Sequence, residues 1–294
     1  MPTPDPTPKL RLAPSDTPEE LARRYERETR PALLQRESEL ENSLAGFKVG
    51  SVPYLNAVPL TRGLEEQIVF APPSELARML QRDKLDAALV SLTEVLTHDR
   101  YDILDGIAVA SLGEVRSDFV AHRQPLPEMR EIYCDTASLS SVNLLKVLLA
   151  ENGWRPELRP LSDYTAAHEL DNVLLIGDPA LKFARSAPPH EIWDLGAAWF
   201  DLTGLPFVYA VWALRRVPNE VLRRRLREAR NFGLDTLDYI ISSRTEFDLA
   251  FRKDYLSWHI HYHLGTDERR GIARFIELLR KHELGPVFEP RFVS

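Results

Sequence analysis

One cysteine in 294 residues, Cys134, excludes an intramolecular disulfide and suits a reducing compartment. Long hydrophobic runs are missing too: no stretch approaches the about twenty apolar residues that a membrane-spanning helix needs. The opening MPTPDPTPKLRLAPSD lacks the apolar centre of a secretory signal, so a cytoplasmic location is expected. Positive charge is not in surplus. The net charge of −7 argues against general nucleic-acid binding, although local backbone dipoles can still hold an anion. No GxGxxG or Walker-type loop is present, which removes the grounds for a dinucleotide or nucleoside triphosphate. The absence of a GxSxG elbow, and the place of Cys134 inside an apolar strand candidate, speak against a nucleophilic hydrolase.

What remains is ordinary globular composition, 44% hydrophobic and 28% charged, in a chain long enough for two modest α/β lobes. Five prolines in the first sixteen residues read as an unstructured arm. Thr17-Pro18-Glu19-Glu20 has the form of a capping box and opens a helix that Pro31 should kink or split. Residues 1–46 thus read as an N-terminal arm and helix, either a frayed appendage or a helix packed on the main body or on a second subunit.

From Phe47 the pattern changes to short apolar strands alternating with amphipathic helices. Strands are predicted at 47–52, 68–71, 87–90, 107–111, 118–122, 131–134 and 173–177, with a further one in FVYAVWAL after the turn Gly204-Leu205-Pro206. Helices are predicted at 56–64, 74–82, 91–98, 138–152 and 179–183. A long surface helix over 219–243 and a last amphipathic one over 268–282 follow.

Small polar residues recur where strands lead into helices: Ser51 and Asn56 in GSVPYLNAVPL, Ser91 in VSLTE, Ser138, Ser140 and Ser141 in DTASLSS, and Asp178 in IGDPA. Each can cap a helix, and Ser91 with Glu94 has the spacing of a capping box. Collectively they suggest a pocket for an anion, because strand ends in an α/β sheet face exposed helix N-termini. His259, His261 and His263 in WHIHYH would share one face of a strand and could gather a metal; histidines among aromatics more often pack, so no metal is expected. The aromatics of 192–216 are read mainly as core or lobe-interface residues, with one or two lining the pocket.

In order, VGSVPYLNAVPLTRGL, LDAALVSLTEVL, YDILDGIAVASLGEVRSDFVAH, DTASLSSVNLLKVLL, LLIGDPAL and WDLGAAWFDLTGLPFVYAVWALRR resemble the chorismate dehydratase family. YLNA and GLPFVYAVWA carry most of the specificity. The resemblance implies a two-lobed α/β fold like that of type II periplasmic solute-binding proteins, with a ligand cleft between lobes. It implies a first lobe from 47–113 and 212–294, a second from 114–211, and a hinge between them. It further implies a carbon-oxygen lyase that removes water from chorismate to give 3-[(1-carboxyvinyl)oxy]benzoate in the futalosine route to menaquinone, without a cofactor.

Position by position, Asn56 matches the family's asparagine and is the expected catalytic residue, placing the enolpyruvyl group or the leaving hydroxyl. Ser51, Ser91, Ser117, Ser138, Ser140, Ser141 and Asp178 are the expected substrate-binding residues. Ser117 follows the GxVxS turn, and Asp178 matches the IGD motif or simply caps a helix. The family's SRTS reads Ser138-Leu139-Ser140-Ser141 here, so Leu139 replaces an arginine. No matched histidine or glutamate offers itself as the base, which leaves the substrate's own enolpyruvyl carboxylate as a proton acceptor. Rival functions are a cytoplasmic small-carboxylate sensor on the same cleft and a 1,4-dihydroxy-6-naphthoate synthase-like enzyme. The expected partner is a small molecule, not a nucleic acid or a membrane, with the chain as monomer or homodimer.

Overall fold

The computed structural model describes residues 18–217 and 219–294. The proline-rich arm and Thr17 of the expected capping box lie outside them. Helix α1 (Pro18–Leu40) continues through Pro31 as one helix, so the expected split does not occur. Its end joins the body: Leu40 and Leu44 are buried, and Gln67 both donates to Leu40 O and accepts from Leu44 N.

The chain then runs β1 (Val49–Ser51), α2 (Val58–Thr61), β2 (Ile68–Phe70), α3 (Pro73–Gln81), β3 (Ala87–Ser91), α4 (Leu92–Thr97) and β4 (Tyr101–Ser111). Next come β5 (Asp118–His122), β6 (Glu131–Cys134), α5 (Leu139–Glu151), β7 (Glu157–Pro160), β8 (Asn172–Ile176), α6 (Gly177–Arg185), β9 (Glu191–Asp194) and α7 (Leu195–Thr203). It closes with β10 (Phe207–Arg215), α8 (Glu220–Asp235), α9 (Leu237–Ser243), α10 (Leu249–Asp254), α11 (Thr266–Lys281) and β11 (Arg291–Val293).

Two sheets result. The first has the order β11-β4-β10-β3-β1-β2 and the second β7-β6-β8-β5-β9. In the first, β1 runs parallel to β2 and β3, whereas β10 is antiparallel to β3 and β4. The central strands β3 and β8 are buried at every residue, because helices cover both faces and an apolar run then has no solvent side.

The chain leaves the first sheet after Ser111 and returns at Phe207. β10 pairs with β3 and β4 of the first sheet, so the chain re-enters that sheet after the turn at Gly204–Pro206. Gly204 ends α7 at φ +66°, where a side chain would be strained. Aromatic packing closes this junction: Phe275 of α11 lies 5.0 Å from Phe207 and 5.9 Å from Trp199 of α7, ring centre to ring centre.

Three strands are absent from the sequence reading: β7, β9 and β11. They are short edge strands, mostly exposed or half-buried, so no apolar run announces them. β4 starts six residues before its predicted beginning. Asp105-Gly106 reads as a break, but the strand accommodates it as an irregularity with Gly106 at φ +82° while both ends pair with β10. The long helix predicted over 219–243 is two, divided at Thr236, whose hydroxyl donates back to Phe232 O. Close packing of α8 on α2 requires Gly233, since a methyl group there would strike the Pro59 carbonyl.

Candidate active site

A cleft with about 580 Å³ of empty space, part of it open to solvent, lies between the two sheets. Its polar lining comes from strand ends and helix starts: Asn56 after β1, Ser91 at the end of β3, Ser117 and Asp118 at the start of β5, and Ser138 and Ser141 at the start of α5. Apolar walls come from Val52, Leu89, Val109, Val115 and Ile176, with the rings of Tyr54 and Tyr209. Among the described residues, no lysine, arginine or histidine lines it. Anion binding there would fall to hydroxyls, amides and the N-termini of α5 and α6.

Two hydrogen-bonded groups organise the lining. Tyr255, from the turn Tyr255–His259 after α10, donates to Ser117 Oγ at 2.8 Å and also interacts with the Asn56 side chain. Burial first, and the nearby Asp178 carboxylate next, hold the Tyr255 phenol protonated. Opposite, the hydroxyls of Ser91 and Ser138 are 3.3 Å apart, and those of Ser138 and Ser141 3.0 Å. Ser141 Oγ also lies against Asp118 Oδ2.

Asp118 is fully buried, and desolvation drives its pKa well above the ordinary 3.8, with the Ser141 hydroxyl acting against the rise and Asp194 adding to it. Tyr209 is likewise pushed up, by burial and then by the Asp118 charge; its hydroxyl sits 3.1 Å from Ser111 Oγ. Tyr54 is raised to about 12, first by burial and then by Asp135 and Asp178. Its ring packs where a Cβ on Gly177 would come within 2.9 Å, and Gly177 also adopts φ +58°.

Of the eight residues singled out by sequence, Asn56, Ser91, Ser117, Ser138 and Ser141 line this cleft. The other three lie outside its lining. Ser51 is wholly buried within the first sheet. Ser140 turns to the neighbouring helix and accepts from Thr93 N at 3.1 Å, tying α5 to α4. Asp178 accepts from Leu55 N at 3.0 Å; because α6 already starts at Gly177, Asp178 braces the YLNA turn rather than capping its own helix.

Ser91 does not form the expected capping box. Its side chain makes no cap bond, and Glu94 instead accepts from Gln81. Leu139 is 39% exposed in an adjoining groove beside Arg78 and Gln81.

The histidines do not share a strand face. His259 ends the turn after α10 and lies by Asp254, while His261 makes an isolated bridge with Ala110. His261, His263 and Glu268 do come together, with candidate ligand atoms within 4.8 Å. Glu268 is already engaged there: Oε2 accepts from Gly265 N, and Oε1 is 3.1 Å from His263 Nε2.

Sequence reading missed Tyr54, Asp118 and Tyr255, while Tyr209 is one of the 192–216 aromatics expected to line the pocket. Tyr54 stood in the YLNA motif and Asp118 beside Ser117, which were the available signals. Tyr255 had none, because it reaches the cleft residue Ser117 from a segment 138 residues further along the chain.

Fold and cleft together define a two-lobed, binding-protein-like α/β protein with a polar site between its lobes. Among solved structures, an Archaeoglobus fulgidus protein matches with TM-score 0.63 at 18% identity, covering 81% of this chain and 98% of that one. The periplasmic aliphatic sulphonate binding protein of Escherichia coli matches with TM-score 0.54 at 14% identity, covering 84% and 93%. These likenesses establish the fold. Residues 47–281 match the menaquinone biosynthesis family, to which the chain belongs. A chorismate dehydratase of Thermus thermophilus is 36% identical over 277 residues, 84% of this chain and 98% of that protein. Another, from Campylobacter jejuni, is 25% identical over 229 residues, covering 76% and 89%. The resemblance read from YLNA and GLPFVYAVWA is borne out. Among the described residues, no helix is long and apolar enough to cross a membrane.

Proposed function

We propose that this chain is a chorismate dehydratase, a hydro-lyase converting chorismate to 3-[(1-carboxyvinyl)oxy]benzoate in the cytoplasm. The observation that carries this reading is a cleft of converging hydroxyls and one amide, Asn56, in a chain 36% identical to a chorismate dehydratase over most of its length. Chorismate has two carboxylates and a ring hydroxyl next to a ring proton. Losing both as water makes the ring aromatic, which supplies much of the driving force. The protein's part is to orient the substrate, hold its carboxylates and stabilise developing charge.

In this reading residues 47–111, 207–217 and 219–294 form one lobe, and residues 118–203 the other. The connections at 112–117 and 204–206 act as hinges, and closure shuts water out. Asn56, oriented by Tyr255, positions the enolpyruvyl side chain, whose carboxylate takes the ring proton. Ser91, Ser117, Ser138 and Ser141 hold the ring hydroxyl and the carboxylates. The C–H pair of electrons moves into the ring as the C–O bond breaks with its pair on oxygen; the hydroxyl takes up a proton delivered within the cleft and leaves as water, and the proton held by the carboxylate passes to solvent. No cofactor takes part.

The test is incubation of purified, chelator-treated protein with chorismate, with products resolved by mass. Loss of one water to give the aromatic enol ether, impaired in Asn56→Ala, is the expected result. Tight binding without turnover would make the chain a sensor, and turnover of a later pathway intermediate instead would move it to a naphthoate synthase-like role.

A further inference from the structure

A leaving hydroxyl needs a proton, and among the described residues no histidine, lysine or arginine lines the cleft to supply one. It does contain a buried carboxyl group joined to three hydroxyls in series. From the inside outward these are Asp118, Ser141, Ser138 and Ser91, with hydroxyl oxygens 3.0 Å and 3.3 Å apart along the last two links. Asp118 and Ser141 belong to the second sheet and its helix, whereas Ser91 ends a strand of the first, so the series crosses the cleft.

Counting protons leaves such a series two directions, inward to an ionised Asp118 or outward from a protonated one. Ser138 Oγ receives the Ser141 backbone N–H, at 3.4 Å, and stands in line to receive the Ser141 hydroxyl proton as well. Both of its lone pairs are then used, and its own proton goes to Ser91. Ser91 makes no side-chain bond to its helix, so its proton is free to face the cleft. At the other end Ser141 has one proton. If that proton goes to Ser138, the contact between Ser141 Oγ and Asp118 Oδ2 must be made by a proton on the carboxyl group.

The surroundings favour the protonated acid. Asp118 has no cationic partner among the described residues: the charges that face it are Asp194, the cap of α7, and Asp135, after β6, both acidic. From β10 and the turn after α10, respectively, the phenols of Tyr209 and Tyr255 face it, and both stay neutral. Desolvation raises the pKa of Asp118, and its second oxygen, Oδ1, is buried without a partner. An ionised carboxylate here would also repel a ligand bearing two carboxylates.

We propose that Asp118 is the buried proton source of a relay through Ser141, Ser138 and Ser91 that donates to a leaving hydroxyl in the cleft. Each hydroxyl passes one proton outward as it receives one from behind. The C–O bond breaks with its electron pair on oxygen, water departs, and Asp118 remains as carboxylate until solvent restores its proton when the lobes open. The final transfer rests on the dehydratase reading, whereas the polarity of the relay does not. Asp118 acts through the serines and is a positioning residue for the donor at Ser91.

Two measurements test it. Infrared difference spectra of the wild-type protein against Asp118→Asn at neutral pH should reveal the carbonyl band of a protonated, deuterium-sensitive carboxyl group. Ser141→Ala should shift that band and assigns it if the asparagine variant does not fold. In turnover, Asp118→Asn should lower kcat about a hundredfold with KM within about twofold, and abolish the fall in kcat toward alkaline pH. An ionised Asp118 at neutral pH, or kcat and its pH profile unchanged in the variant, overturns the proposal. Wild-type protein inert toward chorismate but showing the band would refute the substrate reading alone and uphold the relay.

Discussion

Ser138 and Ser140 stand two residues apart at the start of one helix, and both are buried, yet their replacements should have opposite effects. Ser140 Oγ accepts from Thr93 N at 3.1 Å and lies outside the cleft lining. Ser140→Ala leaves that amide buried and unpaired, which costs about 1–3 kcal/mol of stability. It does not touch the cleft lining, so turnover per folded molecule should be unchanged. Ser138 also caps α5, but its bond from Ser141 N is long at 3.4 Å, so Ser138→Ala should cost only about 0.5 kcal/mol, the low end for such caps. It removes the link between Ser141 and Ser91 and should lower kcat about a hundredfold. Urea denaturation paired with steady-state chorismate turnover measures both quantities on each variant. A stable but inactive Ser140→Ala, or a fully active Ser138→Ala, would refute the assignment of these serines to structure and site.

The Asp118 carboxyl also predicts a pH dependence of stability. Between its ordinary value of 3.8 and its raised folded value, the native chain binds a proton that the unfolded chain has lost, so stability falls as pH rises through that window. Asp118→Asn lacks this slope, and the variant's stability relative to wild type should grow from acidic toward neutral pH; parallel curves in denaturation against pH would contradict it. Phe275 is wholly buried against Trp199 and Phe207, and Phe275→Ala should cost about 3–5 kcal/mol, read from the urea midpoint. Leu139 lies outside the cleft lining, so Leu139→Arg should leave the KM for chorismate within about twofold; a tenfold drop would place that position in the substrate site.

Local chemistry was enough to read much of this protein. Apolar runs such as Ala87–Ser91 and Asn172–Ile176 mark strands because a strand covered on both faces must be apolar throughout. Serines at strand-to-helix junctions mark the cleft because sheet topology places those junctions together. Five of the eight chosen residues therefore line it. Ser51, Ser140 and Asp178 could not be separated from them, since a hydroxyl or carboxylate one residue away along a turn points elsewhere and composition does not encode that direction. The edge strands β7, β9 and β11 gave no periodic signal, because their partners are chosen by sheet geometry rather than by their own residues.

By itself, the sequence determined the α/β alternation, the family and the set of hydroxyl-bearing junctions, all of which are local properties of short segments. Only tertiary structure decided where the chain returns to the first sheet, that Tyr255 reaches Ser117, and that Asp118 meets Ser141. Those are contacts between distant segments. The pKa of a carboxyl group follows from the solvent and charge that the whole fold removes or brings near, which no neighbouring residue in the chain reveals.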